Sequence, residues 1–173
     1  MGVGSFYHGL LRADFNIDGR DMMVLGTHGD PRNGDARLAE AKWIADYAGD
    51  FPNTPANAVL LCDGNMPSHD WDTAAPPNLQ ARYRLVNDDG SFGPTDHRAM
   101  RVLMQAGWRD PQDELPQKRT ATVGYKYENE PTPLHLDHAL ITGPDLVPTA
   151  YVTIDTPRAR AISDHLPAVL DTA

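Results

Sequence analysis

The sequence predicts a mixed α/β (α+β) fold: a mixed β-sheet with flanking helices. Three features carry this expectation. They are an alternating hairpin near the start, an unalternating apolar run at 58–62, and two stretches with apolar residues at helical spacing. At 173 residues the chain is expected to form one domain, 1–173, able to bury roughly 70% of the surface of its unfolded form.

Leu11, Ala13, Phe15 and Ile17 alternate with Arg12, Asp14 and Asn16, Asp18-Gly19 supplies a turn, and Met22 to Thr27 returns antiparallel. The second strand delivers His28 to its end. A loop through Gly29, Pro31 and Gly34 follows. Leu38, Ala41, Ile44, Ala45 and Ala48 then predict a helix over 36–48, with Asp35 as N-cap. After the breaker Phe51-Pro52-Asn53-Thr54-Pro55, the run Ala58-Val59-Leu60-Leu61-Cys62 reads as a central strand covered on both faces, and its end carries Asp63-Gly64-Asn65.

Residues 66–94, rich in Pro, Asp, Asn and Gly, predict a surface excursion with a short helix around Leu79 to Leu85. A further helix is expected over Thr95 to Gln105, with Thr95 as N-cap and Gly107 as its stop. Strands are expected at Thr120 to Tyr127, Leu136 to Ile141, Tyr151 to Ile154 and Pro167 to Asp171. Hairpins mixed with helical crossovers argue against a strictly parallel sheet.

With 15 Lys+Arg against 24 Asp+Glu, the formal charge of -9 argues against a broad phosphate-binding surface, since nonspecific nucleic-acid affinity depends on many basic contacts. Cys62 is the lone cysteine, so no internal disulfide forms. No apolar run approaches the ~18 residues of a membrane span and no signal-peptide pattern opens the chain, so the cytoplasm is the expected compartment.

Four predicted strand ends carry chemistry: His28, then Asp63 with Asn65, then Asp137, then Asp164 with His165. Loops at one edge of a rigid sheet let such residues converge, and an Asp, Asn and His set suits metal-assisted phosphoester hydrolysis. Local readings stand beside this one. His28 could cap a turn, Asp63 and Asn65 could form an Asx turn, and Ser163-Asp164-His165 before Pro167 could be an ordinary turn. His138 is expected to pack or bond locally, while His8, His69 and His97 read as surface or cap residues. Tyr125-Lys126-Tyr127 reads as an exposed strand rather than a stacking platform for bases.

Thr27-His28-Gly29, Arg37 opening a helix, Cys62-Asp63-Gly64-Asn65, Leu136-Asp137-His138 and Ser163-Asp164-His165-Leu166-Pro167 resemble, in order, the C-terminal motifs of the endonuclease/exonuclease/phosphatase superfamily, the deoxyribonuclease I-like fold. The resemblance implies part of an α-β-β-α four-layer sandwich and Mg²⁺-dependent (or Mn²⁺-dependent) cleavage of phosphoesters. It makes Asp164 a metal ligand, with Asp63 near the metal to orient or deprotonate the nucleophile. His165 becomes the imidazole that contacts the phosphate and activates water, oriented by Asp137. Asn65 would donate to a phosphoryl oxygen, and His28 would be a second phosphate-side imidazole or acid.

The resemblance covers only the C-terminal part of the family's domain. The family's early Asn and its metal-anchoring Glu have no counterpart in residues 1–26, where Asp14, Asp18 and Asp21 read as solvated turn residues. Cys62 and Gly64 also depart from the family's residues around Asp63. Half a sandwich would leave an apolar sheet face bare, so a homodimer or a complementing N-terminal polypeptide is expected. The acidity favours a small or soluble phosphoester over bulk nucleic acid. The alternative is a degenerate member, lacking the metal Glu, that binds a ligand or catalyses a non-phosphoester reaction.

Overall fold

The computed structural model describes residues 5–49, 52, 54–71 and 75–173. Of the breaker expected after the first helix, Phe51 and Asn53 lie outside the described residues.

The hairpin forms as its alternation requires. Strands β1 (Leu10–Ile17) and β2 (Arg20–His28) pair antiparallel in register Leu11↔Gly26, Ala13↔Val24 and Phe15↔Met22. Asp18 (φ 52) and Gly19 (φ 82) make the turn in the left-handed region, which Gly adopts freely and Asp tolerates better than most residues. Helix α1 (Gly34–Ala45) leads to β3 (Asn57–Asp63), which lies parallel to β2, and β6 (Asp137–Thr142) lies antiparallel beyond it. The sheet order is β1-β2-β3-β6, with two smaller pairs: β4 (Arg84–Val86) with β5 (Phe92–Thr95), and β7 (Pro148–Thr153) with β8 (Ala168–Thr172). The other helices are α2 (Pro77–Tyr83), α3 (Arg98–Ala106), α4 (Pro111–Glu114) and α5 (Pro157–Ile162).

The sheet is covered on one face. Met23, Leu25, Ala58, Leu60, Cys62 and Leu140 pack with Ala41 and Ile44 of α1, with Ala99, Met100 and Leu103 of α3, and with Trp108. The other face, carrying Leu11, Phe15 and Leu61, stays open, those three being 70%, 48% and 49% exposed. β3 is therefore central in the order, yet it is not covered on both faces as its unbroken apolar run suggested.

Several boundaries differ from expectation. Asn33, not Asp35, caps α1: its side chain accepts from the Asp35 and Ala36 amides at 3.0 and 3.3 Å. The helix ends at Ala45 rather than Ala48. Thr95 is the last residue of β5, and α3 starts at Arg98 after His97, whose side chain makes no cap bond. Gly107 (φ 113) does stop α3. Residues 120–127 form no strand; a single bridge, Val123↔Leu134, pins the segment. α4 and α5 were not anticipated, although Asp110-Pro111 and Thr156-Pro157 each supply an N-cap followed by a proline in the first turn. Among the described residues, no helix is long and apolar enough to cross a membrane.

Candidate active site

Sheet register builds the site. His28, the last residue of β2, stands opposite Asp63, the last of β3, and Asp63 stands opposite Asp137, the first of β6. Because β6 runs antiparallel, its start lies at the same edge as the ends of β2 and β3. Three motifs remote in sequence thus form one row across three strands.

His165 completes the row from the turn before β8. Its Nδ1 lies 2.8 Å from Asp137 Oδ2 and 3.1 Å from Oδ1, and its Nε2 lies 3.7 Å from Asp63 Oδ2. His28 Nε2 approaches the same Asp63 oxygen at 3.2 Å. One carboxylate is therefore flanked by two imidazoles. The Ser163 hydroxyl accepts the His165 amide at 3.1 Å, so the local turn expected at 163–165 exists and holds the ring in place.

Backbone contacts lock the loops that carry these residues. The Gly29 amide donates to Asp63 O and the Gly64 amide to Leu136 O, both at 2.8 Å. The crossing is tight: a Cβ on Gly29 would lie 2.5 Å from Gly64 O, far inside van der Waals contact. Asn65 takes up positive φ (47°), and its amide donates to Asp63 Oδ1 at 3.1 Å. The Asx turn is real, and it sets Asn65 in the wall of the cleft that His28, Asp63 and His165 also line. The Asn65 side chain donates to Gly29 O and accepts from the Tyr83 hydroxyl, each at 3.1 Å. Burial holds that phenol protonated, its pKa pushed up to about 12.

Buried Arg37 braces the same region from α1, donating to Asp30 O at 2.9 Å and to Arg82 O at 2.7 Å, with its guanidinium over the Tyr83 ring. Glu40, also buried, accepts the Tyr7 amide at 2.7 Å and the Asp30 amide at 3.2 Å. By tethering Tyr7 it brings His8 onto His28, with ring centroids 4.3 Å apart and planes 28° apart. His8 is a surface residue, as its sequence context suggested, and it also stacks on a residue of the row. Tyr83 and Glu40 were also missed. The signal for Glu40 was its place one turn after Arg37, on the face of α1 that meets the His28 loop.

The electrostatics follow from this packing. The Asp137 carboxylate raises His165 to about 9, so the ring carries a proton at neutrality. Burial first, and the charge of Asp137 second, raise the Asp63 carboxyl above its ordinary value. His138 packs locally as expected: its Nε2 bonds Met66 O at 2.8 Å, and burial lowers the ring to about 4.

Asp63, Asp137 and His165 offer ligand atoms all within 4.8 Å of one another. Two carboxylates so close, one of them resisting ionisation, suit a hard divalent cation with oxygen ligands. Asp164 lines the adjoining cleft with His28, Asp63, Asn65 and His165 but stands outside that tight group. Asp14, Asp18 and Asp21 lie at the turn of the first hairpin, at the opposite end of β2 from His28; Asp14 pairs with Arg12, and Asp21 accepts from Asn16. Glu40 is committed to backbone amides. Among the described residues, no further carboxylate joins the group.

Comparisons with protein families and with curated proteins find no match. Solved structures do match. An endonuclease/exonuclease/phosphatase family protein from Bacteroides vulgatus is 17% identical with a TM-score of 0.64, covering 95% of this chain and 54% of that one. The inositol polyphosphate 5-phosphatase domain of spSynaptojanin, in complex with inositol (1,4)-bisphosphate and calcium ion, is 16% identical with a TM-score of 0.62, covering 98% and 51%. A 3′ phosphatase from Neisseria, bound to a product DNA hairpin, is 14% identical with a TM-score of 0.57, covering 94% and 64%. The chain therefore spans about half to two thirds of the length of these structures. In fold, the chain resembles one part of the endonuclease/exonuclease/phosphatase superfamily.

Proposed function

We propose that the chain carries the catalytic edge of a divalent-metal-dependent phosphoester hydrolase, acting on a small or soluble substrate. The observation that carries this reading is the His28–Asp63–Asp137 row closed by His165, in which a carboxylate disposed to hold a proton lies within 3.7 Å of two imidazoles. Asp63, its basicity raised by burial, accepts a proton from water as the water oxygen bonds phosphorus and the ester P–O bond breaks. His165, protonated and held by Asp137, donates to a phosphoryl oxygen as charge grows there. This assigns water activation to Asp63 and leaves His165 as the donor. Asn65, fixed by Tyr83 and Gly29, supplies a second donor, and His28 a second phosphate-side imidazole.

Asp63 and Asp164 would hold Mg²⁺ or Mn²⁺, with Asp137 beside them. Such an ion supplies Lewis-acid polarisation of the phosphoryl group and lowers the pKa of water. The open sheet face supports a second sheet packed upon it, from another copy of the chain or from a separate N-terminal polypeptide. A monomer by light scattering at micromolar concentration, with no partner added, counts against both.

A second reading has one observation in its favour: among the described residues, no further carboxylate completes the group. On that reading the site binds a phosphoester without cleaving it. Phosphate release from an activated ester, with Mg²⁺ or Mn²⁺ and with chelator, compared between wild type and Asp164→Asn, separates the two. Metal-dependent turnover lost in the variant supports the hydrolase, and binding without any turnover supports the second reading.

A further inference from the structure

The cleft beside the row is bounded by two segments remote in sequence, α2 and residues 124–134. The neck of the 124–134 loop is closed: the Thr122 and Val123 amides donate to Leu134 O at 2.8 and 3.1 Å. Gly124 (φ 92) turns the chain where a Cβ would collide with the Thr132 carbonyl. The loop is therefore folded on itself rather than trailing into solvent. From it, Glu130 Oε1 accepts from Arg82 Nη1 of α2 at 2.9 Å. Arg82 is anchored in turn, because its carbonyl accepts from Arg37, which also holds the loop after His28. Both members of the ion pair line the cleft, so the pair ties the cleft's two bounding segments together.

The cleft is small. Its volume is about 170 Å³, below the ~300 Å³ at which pockets for drug-sized ligands begin. A polymer strand laid along it would have to pass the Arg82–Glu130 pair, which links the two bounding segments.

We propose that the Arg82–Glu130 pair is a strap that sets substrate size. The site takes a compact phosphorylated alcohol, of the size of a triol or a single sugar ring, and disfavours a nucleic-acid strand. This rests on the hydrolase reading above. Because the pair is partly exposed, it yields at moderate cost, and its effect on selectivity is several-fold to about tenfold.

The test uses the full chain with Mg²⁺, glycerol phosphate or a hexose phosphate as the small ester, and a terminally phosphorylated oligonucleotide as the large one. In wild type the small ester is preferred, and Glu130→Ala raises the oligonucleotide-to-small-ester ratio of kcat/KM about tenfold. Glu130→Gln, which keeps the side chain's reach without its charge, falls between them. His165→Ala abolishes both turnovers. If His165→Ala abolishes turnover while Glu130→Ala leaves the ratio unchanged, or if wild type takes both substrates equally, the strap fails and the hydrolase reading stands. If no ester is cleaved at all, the hydrolase reading fails. Calorimetric titration of the same two ligands then reads the strap directly: oligonucleotide affinity that rises in Glu130→Ala supports it, and equal affinities in the two proteins overturn it.

Discussion

Replacing Asp137 with Asn should release His165. The carboxylate and the amide are nearly isosteric, so the ring keeps a hydrogen-bond partner while losing the negative charge that lies 2.8 Å from Nδ1. The interval from the ring's ordinary 6.5 to about 9 corresponds to ~3 kcal/mol of preference for the protonated form. Since 32% of the side chain meets solvent, screening reduces the charge pairing to about 1–2 kcal/mol. A pKa raised on folding contributes stability that is full below the unfolded value of 6.5 and is lost as pH rises through about 9. Wild type should therefore lose stability across that window, and Asp137→Asn should not. The assay is an NMR titration of the His165 Cε1 proton in chelator-treated protein, paired with urea denaturation near the two ends of the window. An unchanged titration midpoint in Asp137→Asn would refute the claim that this carboxylate holds the ring protonated.

Gly29→Ala should cost about 1–3 kcal/mol of stability, because its Cβ would meet the Gly64 carbonyl at 2.5 Å and backbone cannot yield cheaply; unaltered urea denaturation would show that the loops are not held so close. Tyr83→Phe removes the hydroxyl that donates to buried Asn65 Oδ1, at a cost of ~1–3 kcal/mol, and should lower turnover without changing metal affinity by calorimetry. His8→Ala removes the ring stacked on His28, and a several-fold fall in kcat, on the order of 1 kcal/mol, should be restored by His8→Phe; equal rates in all three proteins would make the stack incidental.

Residues whose role depends on strand ends were legible in the sequence, and those whose role depends on contacts between elements were not. His28, Asp63 and Asp137 could be placed because alternation in the first hairpin, the apolar run at 58–62 and the strand expected at 136–141 mark where strands begin and end, and register does the rest. His8 and Glu40 could not be placed, because Glu40 acts through backbone amides of Tyr7 and Asp30, and no spacing rule connects positions 7 and 40. The strand expected at 120–127 failed for a related reason. Thr122 spends its amide on Leu134 O and accepts the Leu136 and Asp137 amides on its hydroxyl, so tertiary bonds replace a ladder that propensity alone would favour. α5 was missed because its six residues show no apolar stripe, with only Ala159 buried; its signal lay in the Thr156-Pro157 cap. The open sheet face was anticipated from a resemblance that covers only one part of a sandwich, and Leu11, Phe15 and Leu61 display it.

The central claim is that one row of side chains performs phosphoester chemistry. The most direct test is steady-state phosphate release, with saturating Mg²⁺, by wild type, His165→Ala and Asp63→Asn, each shown by circular dichroism to be folded. Losses of about 100-fold or more in both variants, and loss of the wild-type rate on chelation, are predicted for a donor and a proton acceptor acting at the same phosphorus. Turnover in either variant close to the wild-type rate, or a wild-type rate indifferent to chelation, would contradict the account.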